Sequence, residues 1–176
     1  MPVRLDDRMR SGLAALAAAL TLFAEAGPAA AGWRAIPTTA FVTDDLDLTL
    51  ARSQSSLSIS SQVATGRHEI FQTVPSSEGD VIDAIAVCYT APFGTGDRAT
   101  PFITAIGLTE FLFPGISVSR HFDDTDLTSR TDTCYVSPVA NYAPAGAVSL
   151  FLRLDFDVPF PPFEFVFIGA VFMHVK

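Results

Sequence analysis

From Ala147 to Asp157, apolar side chains recur at every second position: Val148, Leu150, Leu152, Leu154 and Phe156, with Ser149, Arg153, Asp155 and Asp157 between them. Only a strand turns that spacing into one apolar and one polar face, because successive strand side chains point to opposite sides whereas a helix scatters them around its circumference. A slip of one residue would carry Arg153 and two aspartates into the interior, so the pairing register of this segment is strongly specified. The chain must therefore build at least one sheet with a covered face.

After Trp33 no stretch sustains a helical period. Short apolar segments recur between clusters of Gly, Pro, Ser and Asp, and strands are expected at 38–42, 46–50, 57–63, 69–74, 81–89, 101–113, 116–120, 132–138, 147–157 and 163–175. That many short strands in roughly 145 residues fit an all-β, antiparallel two-sheet β-sandwich, with a jelly-roll order as one form of it. An outer-membrane barrel shares the periodicity, but one Trp and three Tyr are too few for two aromatic girdles. The in-out alternation of 101–113 slips near Gly107, so a bulge is expected there, and Gly169 is expected to admit another backbone or a large ring. The Pro-rich segment 159–162 is expected to join 147–157 to 163–175 in a hairpin that forms the apolar spine of a sheet.

Residues 1–31 have the pattern of a cleaved signal peptide. Arg4, Arg8 and Arg10 precede the apolar run 13–23, which is too short to cross a bilayer, and the small-x-small site Ala29-Ala30-Ala31 follows. One β-sandwich domain, 32–176, is then expected in the periplasm or outside the cell, with no integral membrane span. In an oxidising compartment two cysteines are normally paired. Cys88 and Cys134 each open a Cys-Tyr-x-x-Pro sequence, so they are expected to form a disulfide that closes a loop of about 46 residues and pins the two layers together. The chain-entropy model assigns such a bridge roughly 4 kcal/mol. Their spacing fits neither a redox motif nor a zinc ligand set. A net charge of -8 excludes nucleic acid as a partner and disfavours anionic membranes, since both need clustered Lys and Arg.

Candidate chemistry is sparse. Asp123, Asp124 and Asp126 are close enough in sequence to converge on calcium with help from Thr hydroxyls and carbonyls, although the EF-hand glycine and glutamate are missing and an Asp-rich turn explains the same residues. His68, His121 and His174 lie in no ligand spacing and are expected as ordinary strand or surface residues. No serine sits in a nucleophile elbow, so a Ser/His/Asp triad could assemble only in space. Asp155 and Glu164 would face each other across the expected hairpin, most simply as solvated charges. With 15 Phe among the aromatics, Phe151, Phe160, Phe163 and Phe172 exceed what one small core absorbs, which points to an exposed apolar patch and to a protein partner or self-association.

The succession of 81–89, 121–129, Cys134-Tyr135, 144–150 and Ile168-Gly169-Ala170 resembles a group of secreted bacterial β-sandwich proteins over roughly the last hundred residues. The resemblance implies architecture and carries no activity. The expected function is that of an exported, non-enzymatic binding, envelope or assembly protein. The alternatives are a carbohydrate-active or other hydrolytic enzyme, and a calcium-dependent carbohydrate-binding module that uses Asp123, Asp124 and Asp126.

Overall fold

A computed structural model describes residues 31–61, 66–91, 102–156 and 165–176, so residues 1–30 of the expected leader and the Pro-rich segment 159–162 lie outside the described residues. Ten strands run through the described residues: β1 (Gly32–Ile36), β2 (Leu48–Arg52), β3 (Leu57–Ser61), β4 (Gly66–Val74), β5 (Ile82–Thr90), β6 (Phe102–Leu112), β7 (Ile116–Asp123), β8 (Thr133–Tyr142), β9 (Ala147–Phe156) and β10 (Val166–Val175). They form two antiparallel sheets. A six-stranded sheet has the order β2-β3-β10-β5-β8, with β1 also paired to β10, and a four-stranded sheet has the order β4-β9-β6-β7. The orders β3-β10-β5-β8 and β4-β9-β6-β7 are those of a jelly-roll sandwich, in which most connections pass from one sheet to the other.

The alternation in β9 does what its spacing requires: Val148, Leu150, Leu152, Leu154 and Phe156 are buried and Arg153 and Asp155 face outward. Opposite them lie Val166, Ile168, Val171, Met173 and Val175 of β10 and Ile82, Ile85, Val87 and Tyr89 of β5, all in one apolar cluster. β9 and β10 therefore do not form the expected hairpin. Each is an inner strand of its own sheet, because two strongly apolar faces bury more surface packed against each other than lying side by side. Asp155 consequently points away from the other sheet, and Glu164 lies outside the described residues.

Other expectations shift in ways the packing explains. Residues 38–42 are not a strand: Thr38–Ala40 form a 3-10 turn behind Pro37, Phe41 plugs the core, and Val42 makes a single bridge to Phe71. The ladder of β6 with β7 is irregular between Leu108 and Thr109, next to Gly107 where a bulge is expected, and the ladder of β6 with β9 shifts a second time at Thr104, between Ile103 and Ala105. In β10 it is Gly169 that occupies the irregular position, between Ile168 and Ala170. Cys88 and Cys134 are bonded as expected, with an S–S distance of 2.01 Å, but they are directly opposed residues of neighbouring strands β5 and β8 with Cα atoms 3.9 Å apart. The bridge therefore lies within the six-stranded sheet and does not link the layers. Among the described residues no helix is long and apolar enough to cross a membrane.

Candidate binding groove

The outer face of the four-stranded sheet is arranged in transverse rows. Phe71 of β4 pairs with Phe151 of β9, Phe151 with Gly107 of β6, and Gly107 with Phe122 of β7. Directly opposed residues share a face, so this register lines three phenylalanines and one glycine across the whole sheet. The ring of Phe151 fills the space over Gly107, where any Cβ would collide with it, and its centre lies 6.3 Å from that of the Phe122 ring. The next row runs from Glu69 to Arg153 to Ala105, and the one after it from Arg67 to Asp155 to Phe102.

Arg153 links the aromatic and charged rows. Its Nε and Nη2 donate to Glu69 Oε1 at 2.9 and 2.7 Å, while the guanidinium carbon lies 5.4 Å from the Phe122 ring centre and 6.0 Å from that of Phe151. Guanidinium groups are attracted to ring faces at such distances. Beyond β7 the chain is fastened by Leu127, which is buried and exchanges backbone hydrogen bonds with Ile103. That anchor leaves Asp124 and Asp126 on the rim. The result is a groove of about 390 Å³ lined by Arg67, Phe102, Thr104, Phe122, Asp124, Asp126, Arg153 and Asp155. Among the described residues, the side chains of Arg67, Asp124, Asp126 and Asp155 make no hydrogen bond or ion pair.

The three aspartates considered for calcium divide between two environments. Asp124 and Asp126 face the groove, whereas Asp123, of opposite strand parity to Phe122, points between the sheets. Its Oδ2 accepts from Tyr135 Oη at 2.9 Å and Ser137 Oγ at 2.5 Å, and its Oδ1 accepts from the Thr125 N–H at 3.0 Å. Burial pushes the Asp123 carboxyl up, but the donors, Ser137 and Thr125 foremost, outweigh it and lower the pKa to about 2. His121 Nε2 lies 2.7 Å from Ser137 Oγ, and burial lowers its pKa against the opposing pull of Asp123. Among the described residues no three imidazole, thiolate or carboxylate groups are placed to hold a metal ion.

A Ser/His/Asp set does come together, at the opposite edge. Asp45 Oδ2 contacts His68 Nδ1, and His68 Nε2 lies 3.4 Å from Ser61 Oγ. His68 is buried edge-on against Phe156, and the long contact to Ser61 is at the limit of a hydrogen bond. Both sets join an edge strand of the four-stranded sheet to the six-stranded sheet: His68 of β4 to Ser61 of β3, and His121 and Asp123 of β7 to Ser137 of β8. We read them as polar seams closing the two long edges of the sandwich. His174 is outside both, against Asp83 and Trp33 on the other face.

No family model matches this chain, and no curated protein matches it in sequence. Among solved structures, it is similar to the CBM22-1-GH10 modules of Clostridium thermocellum xylanase 10B complexed with xylohexaose, with TM-score 0.52 and 12% identity over 80% of this chain and 27% of that one. It is also similar to the enzymatically active domain of tailspike protein 4 of bacteriophage CBA120, with TM-score 0.51 and 12% identity over 82% of this chain and 19% of that one. The chain thus spans about a quarter and about a fifth of those proteins, and the likeness is one of fold. Fold and groove together define a jelly-roll β-sandwich with a polar groove on its four-stranded face.

Proposed function

We propose that this protein is a non-catalytic binding module that holds a carbohydrate in the groove between β4, β9, β6 and β7. The observation that carries the reading is the convergence of four uncommitted polar groups, Arg67, Asp124, Asp126 and Asp155, beside two phenylalanine rings. Carboxylates accept from sugar hydroxyls, a guanidinium donates to them, and a ring covers the C–H face of a pyranose. Glycoside hydrolysis needs a second carboxyl kept protonated by an apolar setting, and Asp124 and Asp126 stand in solvent on the rim. The Cys88–Cys134 bond and the leader-like residues 1–31 support a place in an oxidising compartment.

Calorimetric titration with a panel of neutral, amino and acidic oligosaccharides tests the reading. At least one class is expected to bind, and Asp155→Asn and Arg67→Ala are each expected to weaken it about tenfold, the loss of one hydrogen bond to a charged group. Silence across the whole panel would overturn it.

A further inference from the structure

We infer that the groove selects glycans carrying protonated amino groups, such as oligomers of glucosamine, over neutral and acidic ones; this rests on the carbohydrate-binding reading above. The positive charge of Arg153 is already met by Glu69, which accepts two hydrogen bonds from it. The remaining charged lining is Asp124, Asp126 and Asp155 against Arg67 alone, a surplus of two carboxylates. A glycan carboxylate placed there would meet three like charges, while an ammonium would gain partners that the protein itself leaves unused.

The aromatic wall points the same way, independently of the aspartates. The sheet already seats a cation on it, since the Arg153 guanidinium lies over Phe122 and Phe151. Phe102 is the direct cross-strand partner of Asp155, so an ammonium paired with that carboxylate also lies beside a ring. At longer range, the net charge of -8 draws cationic oligomers toward the molecule and repels uronic acids, an effect that salt screens.

The experiment compares the glucosamine hexamer with its fully N-acetylated counterpart, which has the same backbone without the charge, and with a galacturonic acid oligomer, at a pH where the amine is protonated. The glucosamine hexamer is expected to bind about tenfold tighter than the acetylated one, with the margin shrinking as salt is raised. In Asp124→Asn/Asp126→Asn the margin is expected to fall toward unity; both sites are exposed, and an unchanged circular dichroism spectrum checks the fold. Equal or tighter binding of the acetylated hexamer, or a margin that survives the double substitution, overturns the inference and leaves the carbohydrate reading standing. If none of the three oligomers binds, the inference falls, and the carbohydrate reading falls with it only if the wider panel is silent as well.

Discussion

Phe151 and Gly107 are cross-strand partners in which the side chain of one occupies the space the other lacks. The glycine leaves room for the outer end of the Phe151 ring, whose centre lies 6.0 Å from the Arg153 guanidinium carbon. Gly107→Ala would drive a methyl group into the ring, and overpacking of this kind costs about 1–3 kcal/mol. Urea denaturation is expected to show that loss, together with weakened groove binding. Adding Phe151→Ala should recover part of the stability, so the double variant loses less than the sum of the two single ones.

Gly146 offers less tolerance. A Cβ there would strike the carbonyl oxygen of Phe111, which is backbone and cannot swing aside. The same turn donates its Ala145 and Gly146 N–H groups to the buried Glu110 carboxylate, which also accepts from Arg120 Nε. Burial pushes the Glu110 carboxyl up, and the backbone donors and Arg120 more than offset it, so its pKa lies below the ordinary value. Gly146→Ala is expected to cost more than Gly107→Ala in the same urea measurement.

The carboxyl of Asp123 has its pKa lowered from 3.8 to about 2. A carboxyl depressed in the folded state binds protons more readily when unfolded, so its stabilisation is complete above the unfolded pKa and disappears as pH falls through the folded one. For this group the loss falls between about pH 4 and pH 2. Allowing for partial solvent screening, its contribution at pH 7 is on the order of 1–2 kcal/mol. Asp123→Asn is expected to lower the melting temperature at pH 7 and to flatten the acid limb of the stability profile.

Gln72 is buried on the inner face of β4, and its Oε1 has no partner among the described residues. A buried unsatisfied amide oxygen costs about 1–3 kcal/mol. Gln72→Leu is therefore expected to raise stability by about 1 kcal/mol, measurable as a shift in the urea midpoint.

Reduction of Cys88–Cys134 removes a link between strands that the sheet already pairs. The expected result is a loss of up to about 4 kcal/mol with the β spectrum preserved in circular dichroism. Non-reducing mass spectrometry of the native protein should show both thiols oxidised.

What the chain discloses is parity; what it conceals is adjacency. The alternation of β9 names its buried residues and its outward Arg153 and Asp155 correctly, because side-chain direction follows from position along one strand. Nothing local says that β9 lies between β4 and β6, or that β10 lies in the opposite sheet, so the expected hairpin fails. The groove draws on β4, β6, β7 and β9, and its members become neighbours only through that order. The aspartates show both sides: Asp123 and Asp124 differ in parity and so part company, but only Leu127's bridge to Ile103 brings Asp126 to the rim. The surroundings of the two glycines depend on adjacency for the same reason. Gly107 receives the ring because Phe151 is its cross-strand partner, and Gly169 takes the irregular position because the ladder with β5 shifts there.

β10 is hydrogen-bonded to β1, β3 and β5, three segments spread over the first half of the described chain. Until it arrives, the six-stranded sheet exists only as separate pieces, β2 with β3 and β5 with β8, while β1 has no ladder at all. A nascent polypeptide emerging from the ribosome therefore leaves β1 and one hydrogen-bonding edge each of β3 and β5 without their native partner until nearly the last of these residues has been synthesised. The protein closes like a door whose hinge pin is fitted last.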